Sequence, residues 1–296
     1  MVRRSDLYAR IAVGLLAVSS GSILVRLAPD AAPLAAAAWR LVLASLVLIP
    51  LAWIRDAFRT LRPRDLGLAI GSGLALALHF TLWFTSLRQT SVASSVLLMS
   101  THPVFVAIGS VLILRERLSR PLVVGIAVAL AGGLVIGLAD LRSGTPTVLG
   151  DLLAVGGGVC FAVYVLIGRR LQRTVSLVDY VAVSYGVAGL LVLVAALWSR
   201  EPLFGFRPSS YVYLSLLALV PQLVGHSTFN WALRHLSASK VSALVLGEPL
   251  GAAILAYAIF GEAPTWQRAL GAVTILVGIY VSQRDKEASN ESSGWG

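Results

Sequence analysis

Charged residues are scarce in this sequence. They make up 13% of 296 residues, while 57% are hydrophobic; a water-soluble domain carries about 25% charged residues. Such a composition belongs in a bilayer. Cysteine is nearly absent as well. The single Cys160 lies within an apolar run, which excludes an internal disulfide and a thiolate metal site and makes it a small packing residue. Long polar segments are also missing. The basic residues behind a net charge of +10 fall in short clusters between apolar runs, with no segment long enough for a nucleic-acid-binding domain. Their placement therefore reads as membrane topology. No nucleotide- or cofactor-binding motif, no GxSxG and no HExxH occurs.

What remains is a series of apolar runs, each about long enough to cross a bilayer. Ten spans are expected, at 8–27, 33–54, 66–87, 92–114, 121–139, 149–168, 177–198, 210–233, 239–261 and 265–283. The first follows MVRRSDLYAR without a convincing cleavage site and is read as a retained helix. The final ESSGWG is of low complexity. With the N-terminus inside, seventeen Lys and Arg residues fall on the inner side, in clusters such as Arg3, Arg4, Arg10 and Arg55, Arg59, Arg62, Arg64. Six fall outside, and Arg40 lies within a span. That bias puts both termini in the cytoplasm.

The run 239–261, SKVSALVLGEPLGAAILAYAIFG, carries Glu248 and Pro249 near its middle. A charge at that depth costs about 2.5–3.5 kcal/mol, and the proline leaves backbone groups unsatisfied by the helix. The run 92–114 repeats the plan with His102 and Pro103. Pro103 and Pro249 are 146 residues apart, as are Glu116 and Glu262, Gly125 and Gly271, and Gly132 and Gly278. This shared register indicates a duplicated unit: a first five-helix repeat over 1–145, a second over 146–284, and a disordered tail over 285–296. Five is odd, so the second unit enters from the opposite side. The fold class expected is an all-α integral membrane protein with ten transmembrane helices in an inverted-topology repeat. The first two helices of each unit match poorly, so the repeat rests on helices 3–5 against 8–10.

At Pro103, Arg115-Glu116-Arg117-Leu118, Gly125 and Gly132, and again at Glu248-Pro249, Gly261-Glu262, Gly271 and Gly278, the chain resembles the drug/metabolite transporter superfamily, specifically the EamA-type ten-helix permeases. The resemblance covers nearly the whole chain and looks nearest to the aromatic and hydrophobic amino-acid exporters. It implies a multi-pass carrier of the bacterial inner membrane that exports amino acids or related small metabolites without an ATPase. A non-amino-acid metabolite or drug is the alternative cargo. An intramembrane enzyme lacks a catalytic motif, and a non-transporting subunit has little loop surface for a partner.

Glu248 leads the candidate residues: it would bind an ammonium group or exchange a proton, or else cap the backbone freed by Pro249. Arg40 would clamp a substrate carboxylate, pair with Glu248, or snorkel outward. His102 stands at the position equivalent to Glu248, and His79 and His226 lie on helices 3 and 8. The three share no metal-ligand spacing, so cavity lining is expected and no metal. Trp39, Trp83, Met99, Tyr164 and Tyr257 would form an apolar wall, with Gln222 and Asn230 as polar neighbours. Pro103, Pro221 and Pro249 are expected to kink the lining helices. Glu116 and Glu262 read as structural, capping the following helix or pairing with Arg120 and Arg268. Gly67/Gly71, Gly133/Gly137 and Gly247/Gly251 have the spacing of close helix contacts. The partners expected are a small-molecule substrate and membrane lipid, with a proton or counter-substrate as the energy source, no cofactor and no nucleic acid. Oligomeric state is not readable.

Overall fold

The computed structural model describes residues 3–56, 61–90, 92–140, 147–261 and 265–284, and among them all regular structure is helical. The spans are α1 (Arg4–Leu27), α2 (Pro33–Ile54), α3 (Pro63–Gln89), α4 (Val92–Met99) with α5 (His102–Leu112), α6 (Arg120–Asp140), α7 (Val148–Leu171) and α8 (Leu177–Trp198). The eighth is α9 (Pro208–Leu217), a π-helical stretch Ala218–His226, and α10 (Ser227–Ala232); the ninth is α11 (Ala238–Val245) with α12 (Glu248–Phe260), and the last is α13 (Trp266–Gln283). Among the described residues eight of these are long and apolar enough to cross a membrane, and the stretches Arg120–Val135 and Ala269–Gln283 of the other two are apolar but shorter. The ten expected spans are thus present, three of them interrupted. The expected tail and Glu262 lie outside the described residues.

Proline explains where the helices start. Pro33, Pro63, Pro103, Pro208 and Pro249 all occupy the first or second position of a helix, where the missing N–H has no partner to lose and the fixed φ suits the first turn. Pro103 and Pro249 were expected to kink; instead they begin new helices, so the fourth and ninth spans are broken. Pro221 sits inside the π-helical stretch, where wider turns accommodate the ring and the lost donor. Thr147, Ser176 and Ser237 cap α7, α8 and α11 with their hydroxyls, each accepting from an otherwise orphaned N–H.

Packing follows a pseudo-two-fold axis. α3 lies along α7 as the π-helical stretch lies along α1, and α5 packs on α7 as α12 packs on α1. α3 meets α8 as the π-helical stretch meets α2, while α2 with α8 and α6 with α13 are pairs that the axis maps onto themselves. The symmetry therefore includes the first two helices of each unit, whose sequences match poorly. Between α6 and α13 the correspondence is visible in single residues. Gly132 lies against Gly271 and Gly278 against Gly125; exchanging each glycine for its equivalent 146 residues away turns one contact into the other.

Here the glycines are needed for close approach. A Cβ at Gly132 would stand 2.7 Å from Gly271 O and 2.8 Å from Ile275 N. One GxxxG set does not do this work: Gly67 meets nothing within 4 Å and Gly71 only Ile167 at 4.0 Å; Gly133 likewise meets nothing within 4 Å. Gly247 and Gly251 do pack closely, against Leu15 and Ser19 of α1. The GxxxG spacing alone does not distinguish a face that meets a helix from one that meets lipid.

Two spans end in a left-handed arginine followed by a glutamate. Arg115 and Arg200 both have φ of 55°. The next N–H then folds back, Glu116 N to Ser110 O at 2.9 Å and Glu201 N to Ala196 O at 3.0 Å, the C-terminal cap that turns the chain sharply. Each glutamate is thereby aimed under the helix ends, against the other half of the molecule.

Replacing Gly132 by Ala is expected to cost about 1–3 kcal/mol by forcing backbone apart. The same change at Gly133 should stay within about 0.5 kcal/mol. Unfolding in detergent, followed by tryptophan fluorescence, separates the two; equal losses would show that the Gly132 contact is not close.

Candidate functional site

Mid-membrane polarity converges on one small cavity. It is bounded by both broken spans, at Met99, His102, Val245 and Glu248, and by α1, α2, α3, α7, the π-helical stretch and α10. Both breaks serve the same end. His102 and Glu248 are the first residues of α5 and α12, so each break sets a polar side chain at a helix N-terminus, and the open N–H groups there favour a carboxylate at Glu248.

Arg40 is 6% exposed. Its Nε donates to Gln222 Oε1 at 2.6 Å, and its guanidinium lies 4.8 Å from the centre of the Phe80 ring. Nη2 is buried without a hydrogen-bond partner, leaving a charged donor for a further acceptor. Glu248 is the nearby opposite charge, and the two act on one another electrostatically. The Glu248 backbone carbonyl accepts from Ser19 Oγ at 3.0 Å, which ties the start of α12 to α1.

Aromatic rings line the rest. Phe161 is the hub, with ring centres 4.8 Å from His102, 5.1 Å from His79, 6.0 Å from Tyr164 and 6.4 Å from His226. His79 stacks on Trp83 at 5.8 Å, and its Nδ1 lies 3.0 Å from Gly157 O. A carbonyl can only accept, so Nδ1 carries the hydrogen and Nε2 is an acceptor when the ring is neutral. His102 Nδ1 lies 3.3 Å from Met99 O and its Nε2 is buried without a partner. Asn230 donates to the Tyr164 hydroxyl at 2.5 Å and the Tyr185 hydroxyl at 3.1 Å, so its amide is engaged in holding the wall.

The structure gathers Glu248, Arg40, His79, Trp83, Met99, His102, Tyr164, His226 and Asn230 around this space. Gln222 is fully buried behind it and acts through Arg40. Trp39 and Tyr257 lie elsewhere. Trp39 donates to Leu203 O at 2.8 Å and packs edge-on against Phe204 and Tyr211, closing the end of the bundle opposite the arginine-rich face. Tyr257 is 57% exposed on the outer surface of α12, where lipid is the neighbour. Phe80 and Phe161 are lining residues that sequence reasoning missed. Phe161 is three residues from Tyr164 on α7, the spacing of one helix face, and Phe80 is adjacent to His79. No group of metal-ligating side chains occurs among the described residues.

The free space is about 40 Å³, room for no more than a few waters and well below the roughly 300 Å³ at which small-molecule pockets begin. Ties between the halves close both ends. On the arginine-rich face Glu116 binds Arg169 at 2.7 Å and Arg173 at 3.5 Å, and it accepts from Ala238 N at the start of α11. Its described partners are these, from the second half, and not the Arg120 expected from sequence. On the opposite face Glu201 binds Arg88 at 2.7 Å and accepts from Ala35 N at 3.0 Å. Asp30 accepts from Ser210 Oγ at 2.5 Å and Arg207 N at 2.7 Å. The Ser210 and Arg207 hydrogen bonds hold its carboxyl below the usual range.

A polytopic helical protein built on an inverted repeat, with a charged and aromatic cavity between two broken spans, belongs to the architectural class of membrane carriers. The model of the EamA-like transporter family matches residues 6–138 and again residues 148–283, one match for each five-helix unit. The chain belongs to that family. It is similar to two uncharacterized transporters of Bacillus subtilis (strain 168). YyaM is 23% identical over 83% of this chain and 83% of the relative, and YwfM is 26% identical over 90% and 92%. An uncharacterized transporter of Archaeoglobus fulgidus is 25% identical over 84% of this chain and 87% of its own length. A crystal structure with 20% identity superposes with a TM-score of 0.80, covering 95% of this chain and 98% of that one; this likeness is one of fold.

Gln222→Leu is expected to destabilise the protein by about 1–3 kcal/mol, because it leaves the Arg40 Nε buried without an acceptor. A melting temperature unchanged from wild type would show that the pair holds nothing together. Asp30 gives a pH-dependent counterpart. Its folded pKa is lowered from 3.8, so its contribution is fully present above about pH 4 and is lost as acid protonates the folded carboxyl. Asp30→Asn should flatten that acid limb in melting curves taken from pH 6 downward.

Proposed function

We propose that this membrane transporter is a secondary carrier that exports amino acids, aromatic, hydrophobic or otherwise neutral, or closely related small metabolites, across the bacterial inner membrane. The observation that carries this reading is the convergence of one carboxylate, Glu248, and one guanidinium with a free donor, Arg40, on an aromatic-lined cavity at the break points of both repeats. A zwitterion matches that pair: its ammonium would meet Glu248 and its carboxylate Arg40, with the side chain against Phe161, Trp83 and Tyr164. Glu248 would alternatively release a proton in exchange, so that a pH gradient or a counter-substrate supplies the energy.

Alternating access fits the ties at the two ends. Glu116 and Glu201 each reach from one half to the other, on opposite faces. A cavity of about 40 Å³ is too small for an amino acid, so loading requires one end to part. The two halves would rock about the cavity, breaking the Glu201 tie to open outward and the Glu116 tie to open inward, with the half-helices α5 and α12 as the moving walls.

Counterflow in proteoliposomes tests this. Vesicles loaded with unlabelled amino acids should take up labelled phenylalanine, threonine or methionine, with an added response to a pH gradient if a proton is coupled. Glu248→Gln, in protein with wild-type thermal stability, should abolish uptake, a loss of at least about a hundredfold if the carboxylate holds the ammonium directly. Full activity of Glu248→Gln removes that residue from the mechanism. No uptake of any amino acid moves the cargo to another metabolite or to a drug.

A further inference from the structure

A second cavity, of about 430 Å³, opens at the arginine-rich end of the bundle between α1, α11 and α13 and shares no lining residue with the central site. Its rim holds Arg4, the first residue of α1, and Arg284, immediately after α13. Both are exposed. Arg4 lies 5.9 Å over the Tyr8 ring and Arg284 5.4 Å over the Tyr280 ring, so each guanidinium is braced on an aromatic face with its N–H edge available. Among the described residues the lining contains no carboxylate.

Deeper in, the groove is apolar. Leu276 and Ile279 stand on α13 and Leu244 on α11; Leu276 precedes Arg284 by eight residues, about 12 Å along a helix. Leu276 is 52% and Tyr280 64% exposed on the outside of the bundle, the side that faces the membrane. The floor is knitted together: the Tyr8 hydroxyl donates to Gln283 Oε1 at 3.4 Å, and Gln283 Nε2 donates to Lys240 O at 3.3 Å. A groove with two cations at headgroup depth, tyrosines at the interface and aliphatic side chains one to two helical turns deeper matches one occupant. We propose that it binds a single anionic phospholipid, whose phosphate lies between Arg4 and Arg284 and whose acyl chain lies along Leu244, Leu276 and Ile279. The aliphatic side chains of Leu244, Leu276 and Ile279 favour a lipid over free phosphate, and the paired cations favour an anionic headgroup over a zwitterionic one. Because α11 is half of the broken ninth span, a lipid here touches an element that borders the central cavity.

Native mass spectrometry of the full chain in mild detergent tests this, titrating dioleoyl-phosphatidylglycerol against dioleoyl-phosphatidylcholine. Wild type should retain one phosphatidylglycerol at concentrations where phosphatidylcholine is lost. Arg4→Gln with Arg284→Gln should weaken that retention about tenfold, while Arg62→Gln with Arg64→Gln, on the same face but outside the groove, should leave it intact. Equal retention of the two lipids, or equal loss in both double variants, overturns the site. So does displacement of phosphatidylglycerol by millimolar inorganic phosphate, which would mark a free-anion site. If the Arg4/Arg284 variant does not fold, the wild type still decides: retention of phosphatidylglycerol must fall severalfold as salt is raised, and its indifference to salt refutes the paired-cation reading.

Discussion

A bilayer offers no hydrogen bonds to an interrupted helix. That constraint organises this molecule. The fourth and ninth spans both break at mid-depth, before His102-Pro103 and Glu248-Pro249, and every backbone group freed there must find protein or an enclosed polar space. The breaks therefore face one another across the interior, and neighbouring helices pack tightly against them, as where Ser19 Oγ of α1 donates to Glu248 O. Once the breaks are inside, the polar side chains beside them are inside too, and the cavity is the consequence.

Burial then decides what can sit around that cavity. Arg40 is tolerated because Gln222 accepts from it, Phe80 lies under its charged face and Glu248 provides the opposite charge. His79 and His102 are held by the carbonyls of Gly157 and Met99 and by tilted and edge-on packing against Phe161. Three of the buried side-chain atoms without a hydrogen-bond partner, Arg40 Nη2, Trp83 Nε1 and His102 Nε2, belong to residues that line the cavity, while others, such as those of Gln172 and Asp179, lie away from it. Buried polar atoms left without partners are costly, and the three around the cavity are donors or acceptors that a polar occupant could satisfy.

Much of this was legible beforehand. The ten spans, the duplicated register and nine of the cavity residues could be read from apolar run length, from offsets of 146 and from ionisable or aromatic side chains inside spans. Other features were not. Prolines 103 and 249 begin helices rather than bend them, because a proline two residues into a new helix loses nothing, and only neighbouring helices can make a mid-membrane break affordable. Trp39 and Tyr257 carry the same chemistry as Trp83 and Tyr164 but point to an end loop and to lipid. In an all-apolar span, polarity does not mark the inner face, so side-chain direction is hidden. Phe161 was invisible for the same reason.

Sequence by itself determined the membrane habitat, the number of spans, the repeat and its inversion, since these depend on composition, length and the parity of five. Tertiary structure alone decided which glycines touch backbone, which glutamate partners tie the halves, and which rings face the cavity. Those are matters of helix rotation and depth, set by packing between segments far apart in the chain. Glu116 shows the division clearly. Its place at the end of a span follows from local order, whereas its partners Arg169, Arg173 and Ala238 come from the other repeat, brought to it only when the two halves close on each other.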